Sequence, residues 1–353
     1  MSTKKTIFWL CILLFCSNSP FIFARGDSIR PVTHGASPEA VELLQYIYSI
    51  SGKYTLTGQH CEPLFGSINL ASVEKMIGLY PAVFGQDFGF SAPGTWDGIN
   101  YRQQIVDEAI RRHHEGFINT IMWHAVRPIE DEPVTIDGSV RGELTDDEWQ
   151  DLITTGTEIN ERWKSQVDVI AFFLKQLRDA GVPVLWRPYH EMNGGWFWWG
   201  KKDGDNGYKK LYRMLFDRLV NFHGLNNLIW VYNANEIREG VYSYDKCYPG
   251  DDVVDILATD VYGRGFAIED YEQLLELAGD KPVALGEVGP IPTPEIIQSQ
   301  PKWTWFMCWG TPSGRWGQYE EFKAIYESDN TLTFDELPWV TVKNPRIHHP
   351  LLK

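Results

Sequence analysis

Along this chain, short runs of β-branched, aromatic and aliphatic residues alternate with longer segments whose apolar positions recur at spacings of three and four. Eight short runs stand out, at 54–58, 81–87, 117–124, 183–191, 227–233, 255–262, 282–287 and 303–309. Helical periodicity falls between most of them, at 101–115, 161–180, 206–223, 268–278 and 318–328. Strand alternating with helix predicts a parallel sheet. Several runs are apolar almost throughout rather than at every second position, which fits strands covered on both faces. Eight such units predict a closed (β/α)8 TIM barrel, and no glycine-rich phosphate-binding turn follows the first run to favour an open nucleotide-binding sheet. Segments 127–160 and 192–207 are long, polar and studded with aromatic residues, as expected of loops that build a binding face at the carboxyl ends of barrel strands. Neither a Pro/Ser linker nor an internal repeat divides the chain, so a single domain is expected.

Composition narrows the partners. The sequence has 353 residues, 43% of them hydrophobic, which is ample for one large core. Its formal net charge of -15, with no basic run, argues against nucleic acid. The first residues carry Lys4 and Lys5, an apolar run at 6–15 and a small residue at Ala24, which reads as a signal peptide over 1–24; the alternative is a lipoprotein signal with Cys16 as the acylated residue. The single domain is then expected at 25–353, in an exported protein that is periplasmic, secreted or lipid-anchored. Nothing downstream approaches the roughly 20 apolar residues of a membrane-spanning segment, and a monomer is expected. Beyond the leader, Cys61, Cys247 and Cys308 form an odd set without metal-ligand spacing, leaving room for one bridge at most.

Chemistry in such a barrel gathers at the carboxyl ends of the strands. Asp87 ends the second run, His124 the third, Arg187, His190 and Glu191 the fourth, Asn233 the fifth, Asp260 and Tyr262 the sixth, and Glu287 the seventh. Glu191 and Glu287 are isolated carboxylates, each after an apolar run and before a glycine-containing turn. A lone glutamate at a strand end is more often a cap or a salt-bridge partner; two in matched surroundings across a barrel mouth reverse that weighing. Such a pair suits glycoside hydrolysis, in which one carboxylic acid protonates the leaving oxygen and the other attacks the anomeric carbon, with about 5 to 5.5 Å between carboxyl groups in a retaining enzyme. Apolar rings and the charge of Glu287 are expected to keep Glu191 protonated, while Arg187 and Tyr262 donate to Glu287 and keep it ionised. Trp196, Phe197, Trp198 and Trp199 predict a wall of rings for the C–H faces of sugars, with Trp309 at the sugar-facing end of the last run. The "HE" pair at 190–191 does not read as a metal motif, because neighbours in a strand point to opposite faces and no second ligand follows at helical spacing. No metal and no cofactor are expected, and no serine or cysteine sits in a nucleophile elbow suited to acyl transfer.

At "WRPYHEMNGGWFWWG" (186–200), joined with "WH" at 123–124, "DVYG" at 260–263 and "LGEVGP" at 285–290, the chain resembles glycoside hydrolase family 26, most of whose known members are β-1,4-mannanases. The resemblance runs from "LTGQH" to the late "FDELP" at 334–338. It implies a retaining mannan endo-1,4-β-mannosidase with Glu191 as acid/base and Glu287 as nucleophile. It also implies that His190 supports the acid/base, that Trp196 lines the sugar site, that Arg187 and Tyr262 orient the nucleophile, and that His124 and Asp260 contact substrate. The partner implied is β-mannan or manno-oligosaccharides. An exo-acting enzyme releasing mannobiose, a mixed-linkage β-glucanase, a β-xylanase and a polysaccharide-binding protein without activity are the alternatives. Two stretches depart from the family pattern: "TLTGQH" stands where many members have a "GHQ" order, and "MCWGTPSG" follows the last run.

Overall fold

The computed structural model describes residues 29–263, 265–312, 319–341 and 347; the expected leader at 1–24, Cys16 included, lies outside the described residues. Helix α1 (Pro38–Ile50) begins where the Ser37 side chain accepts a hydrogen bond from the Ala40 amide and Pro38 supplies a helical φ. The first barrel strand comes in two pieces, β1 (Thr55–Leu56) and β2 (Gly58–His60). Then follow α2 (Ile68–Ile77), β3 (Val83–Asp87), α3 (Arg102–Glu115), β4 (Ile118–Trp123), α4 (Asp146–Leu152), α5 (Glu158–Asp179), β5 (Val184–Pro188), α6 (Tyr208–Phe216) and β6 (Leu228–Asn235). The order continues with β7 (Ile256–Val261), α7 (Ile268–Ala278), β8 (Val283–Val288), α8 (Pro294–Ser299), β9 (Trp303–Cys308), α9 (Tyr319–Tyr326) and β10 (Thr331–Leu332).

Strands β2 to β9 are neighbours in chain order and all parallel, and β9 returns to β2 through Gln59 opposite Cys308, which closes an eight-stranded barrel. Each of the eight apolar runs overlaps one barrel strand, although 54–58 holds β1 and reaches only Gly58 of β2, and 227–233 and 282–287 stop short of the ends of β6 and β8. The helical periods correspond to α3, α5, α6, α7 and α9, with two corrections. Segment 206–223 divides into α6 and a π-helical stretch, Asp217–Phe222. Segment 127–160 is no bare loop, since it holds a π-helical turn at Ile136–Val140 and α4, started by a Thr145/Glu148 capping box. Cys61, Cys247 and Cys308 are buried and unbridged. Among the described residues no helix is long and apolar enough to cross a membrane.

Successive strand residues go to two different cores, as the two-residue period of a strand requires. Leu185, Ile229, Val231, Ile256, Ala258, Ala284 and Trp305 pack as one set, while Val184, Trp186, Leu228, Trp230, Leu257, Val283 and Leu285 join the set that carries the surrounding helices. Counting on by two from the inner set leads to Arg187, Asn233 and Asp260. Glu287 should point outward by that count. It does not, because β7 and β8 slip by one residue at the mouth: Thr259 pairs with Leu285, but Asp260 pairs with Glu287. The residue taken up by the slip is Gly286. A Cβ there would stand 1.8 Å from Asn233 Oδ1 and 2.7 Å from Asp260 Oδ1, so glycine is what the irregularity demands.

Candidate active site

Arg187 forms the floor of the barrel mouth. It is fully buried, and its guanidinium is satisfied on several sides: Nε donates to Thr120 Oγ1 at 3.3 Å, and Nη1 donates to Asn233 Oδ1 at 2.9 Å and to Glu287 Oε1 at 3.4 Å. A buried cation lacking such partners would be costly. From just past β7, the Tyr262 hydroxyl donates to Glu287 Oε2 at 2.7 Å. Both oxygens of Glu287 thus accept from a donor, one of them charged, an arrangement that suits a carboxylate. Asp260 is the third carboxyl group, 3.9 Å from Arg187 Nη1. Burial first, then the charges of Glu287 and Glu191, hold its carboxyl well above the usual range.

Glu191 lies in a turn beyond β5. Tyr189 and Glu191 both take left-handed backbone, with φ of 48° and 54°, at a cost of about 1–2 kcal/mol each for residues with a Cβ. The turn is pinned to β6 in return: the Glu191 amide donates to Asn233 O at 2.7 Å, and Asn193 Nδ2 donates to Asn235 O at 2.8 Å. Strand alternation therefore ends before this point. His190 and Glu191 are adjacent, yet both reach the mouth, His190 Nε2 standing 3.9 Å from Glu287 Oε1. The expectation that they point to opposite faces is corrected by these two φ angles.

Trp196 folds back over the same turn. Its ring covers Gly194, where a Cβ would lie 2.2 Å from the indole, and its N–H donates to Glu191 Oε2 at 2.6 Å. Burial, and next the negative charge of Glu287, push the Glu191 carboxyl up to about 8, against the pull of the Trp196 hydrogen bond and of the His124 and Arg238 charges. Near neutral pH the mouth accordingly holds one protonated glutamic acid beside one doubly hydrogen-bonded glutamate.

The histidines form a second layer. His124 Nδ1 donates to Asp87 Oδ2 at 2.5 Å, and its amide donates to Asp87 Oδ1 at 3.3 Å. Burial lowers the proton affinity of His124, but Asp87 outweighs it and the net direction is upward. The His190 ring meets His124 edge-on, with centroids 4.6 Å apart. Burial and the charges of His124 and Arg187 put His190 well below the ordinary imidazole range, so it is the neutral member of the pair. Trp309 joins through His124, at 6.5 Å between centroids, and stacks on His60 at 3.8 Å and 16°. Gln59 Nε2 donates to Gly310 O at 2.7 Å and to Cys308 O at 3.2 Å. "TLTGQH" and the described part of "MCWGTPSG" therefore hold each other.

The wall of four rings needs correction. Trp198 and Trp199 are 1% and 0% exposed, and their indole N–H groups donate to Ala125 O and His190 O, both at 2.8 Å. Phe197 is buried against His124, His190 and Trp199. Of the four, Trp196 alone keeps partial exposure; the rest are the core that a long loop needs to stand at all. His190, Asp260 and Glu287 each bring a possible metal-ligating atom within 4.8 Å of one another. Arg187 already supplies the positive charge there, 3.4 Å from Glu287, and repels a second cation. Asp87, His60, Glu236 and Arg238 also belong to the network. For His60 and Asp87 a signal existed, namely their place at strand ends; the other two sit in the loop after β6 with no spacing that marks them.

The profile of glycosyl hydrolase family 26 matches residues 32–336. Among curated proteins, the mannan endo-1,4-beta-mannosidase of Thermothelomyces thermophilus is 39% identical over 314 residues, covering 86% of this chain and 62% of that protein. The mannan endo-1,4-beta-mannosidase of Bacillus subtilis is 28% identical over 340 residues, covering 88% of this chain and 90% of the relative. Among solved structures, GH26A of a Muricauda species superposes with a TM-score of 0.82 at 46% identity, covering 86% of this chain and 99% of that one. A GH26-CBM35 beta-(1,4)-mannanase from Podospora anserina gives 0.75 at 33% identity, covering 88% and 69%.

Proposed function

This chain belongs to glycosyl hydrolase family 26, and from that footing we propose that it is an endo-acting β-1,4-mannanase, cleaving internal linkages of mannan, glucomannan or galactomannan with retention of configuration. What carries the proposal is the contrast between two neighbouring carboxyl groups, Glu191 pushed up to about 8 and Glu287 hydrogen-bonded by Tyr262 and Arg187. In the first step Glu191 gives its proton to the glycosidic oxygen while a Glu287 oxygen attacks the anomeric carbon. The glycosidic C–O bond breaks, the leaving chain departs with a new hydroxyl, and a glycosyl ester forms on Glu287. In the second step water attacks the same carbon, its proton passes to Glu191, and the ester bond breaks to return the Glu287 carboxylate. Tyr262 and Arg187 hold the nucleophile in line, and His190 and Trp196 support the acid. His124 meets sugar hydroxyls at the mouth, with Trp196 and Trp309 as stacking surfaces; Asp260, expected to contact substrate, is instead completely buried with both carboxyl oxygens shielded, and acts from beneath the mouth beside Arg187. Mannan is favoured over other β-glycans because the curated relatives that span most of this chain carry the mannosidase name.

The test is a time course of products from mannan, with mannohexaose alongside, resolved by length and by anomer. Mixed-length oligomers with the β-anomer released first are expected. An α-anomer would refute the double displacement, mannobiose alone from the outset would refute internal cleavage, and faster hydrolysis of barley β-glucan or xylan would refute the substrate assignment.

A further inference from the structure

Glu236 is completely buried just beyond β6, and no step above uses it. Its Oε1 accepts from the Gly263 amide at 2.6 Å and from the Tyr262 amide at 3.3 Å, and its own amide donates to Asp260 O at 2.9 Å. These bonds tie the loop after β7 to the end of β6 at the point where Tyr262 turns toward Glu287. On the other side of the same oxygen, Arg238 Nη1 stands 4.0 Å away. The Arg238 guanidinium lies 5.4 Å from the centre of the Trp196 ring, and Trp196 donates to Glu191. The junction is tight: a Cβ on Gly263 would come within 3.1 Å of Glu236 Oε1 and 3.3 Å of Arg238 Nη1.

We propose that Glu236 is a positioning residue for both glutamates at once, setting the phenol on Glu287 through the amide of Tyr262, and the indole on Glu191 through Arg238 and the Trp196 ring. This rests on the roles given to Glu191 and Glu287 above. One buried side chain is then the common reference for two donors, the Tyr262 hydroxyl on Glu287 and the Trp196 N–H on Glu191. Its partner Arg238 is partly exposed, so the two can be perturbed separately.

Charge separates this from mere scaffolding. Glu191 is faced by Glu287 on β8, Asp260 and Tyr262 from β7, His124 after β4, Arg187 on β5, His190 and Trp196 in its own loop, and Arg238 with Glu236 after β6. Burial is the largest cause of its raised proton affinity, and Arg238 pulls it down. Removing the Arg238 charge therefore raises that affinity, and removing the Glu236 charge lowers it. A loosened loop would do something else, because water reaching a buried acid lowers its affinity whichever residue is changed.

The experiment compares wild type, E236Q and R238M on mannohexaose from pH 5 to 10, with a thermal melt of each. E236Q is expected to lose about tenfold or more in kcat with KM within about twofold, as misplacement of reacting groups does. Its alkaline limb moves down, and that of R238M moves up, each by about half a pH unit. Limbs that move the same way, or both stay put with kcat within about twofold of wild type, would leave Glu236 a structural residue and overturn the proposal. Should E236Q not fold, E236D takes its place, keeping the carboxylate but shortening its reach to the Gly263 and Tyr262 amides: a kcat loss of about tenfold with KM within about twofold supports the proposal, and kcat within about twofold of wild type overturns it. Wild type that hydrolyses no mannan, glucan or xylan would instead sink the reading of the site itself, and this proposal with it.

Discussion

Trp196 presents a partly exposed ring at the mouth and bonds Glu191 through its N–H. The hydrogen bond at 2.6 Å to Glu191 favours the ionised acid, which opposes the burial that keeps it protonated. Because the acid works only while protonated, activity is expected to fall as pH rises through about 8. W196F removes the donor and keeps an aromatic face, so the alkaline limb of kcat/KM should move to higher pH while KM on mannohexaose rises severalfold. A limb that stays in place or moves down would show that the indole N–H does not tune Glu191. Polar residues at strand ends were legible in the sequence, since a carboxylate after a buried run needs a partner or a task. The fate of Trp198 and Trp199 was not. A ring in a loop can serve as platform or as core, and what separates the two is which carbonyl its N–H meets, here those of Ala125 and His190.

At the scale of elements, the strands were legible because a parallel strand buried on both faces reads as an unbroken apolar run. α1 carries a clear start at Ser37 and Pro38 but stands ahead of the alternation that organises the rest, and α4 is a short helix within a loop. The slip between β7 and β8 leaves no trace in hydropathy. It is an irregularity of one residue, and without it Glu287 would face the helices. G286A tests it directly: a methyl 1.8 Å from Asn233 Oδ1 must push β8 or Asn233 aside. Overpacking of this kind costs about 1–3 kcal/mol. A lower melting temperature is expected, with a drop in kcat of about a hundredfold as Glu287 leaves its position. A variant with wild-type kcat would show that the mouth tolerates a side chain there and that the slip is not tied to glycine.

Across the whole molecule, the amino end of the barrel has its own titrating group, far in function from the mouth. Asp255 joins the segment before α1 to the strands, its oxygens accepting from the Val32 amide at 2.7 Å and the Trp230 amide at 2.8 Å. Burial, set against those two bonds, pushes its carboxyl up to about 7. The folded chain thus keeps a proton that the unfolded chain releases near pH 4. The stabilisation from this group is full below about pH 4 and is lost as pH rises through about 7. Urea unfolding at pH 5 and pH 7.5 should show wild type losing more stability across the interval than D255N, by about 1–3 kcal/mol. Equal losses would remove Asp255 from the account. The first strand, meanwhile, finds the partners of β1 only in β9 and β10, and β2 completes the ring only against β9. Those partners follow every other barrel strand in chain order. Until β9, from Trp303 to Cys308, has been made, β2 and β8 have no partner on their open sides, so the order of synthesis leaves two unpaired strand edges until the eighth barrel strand arrives.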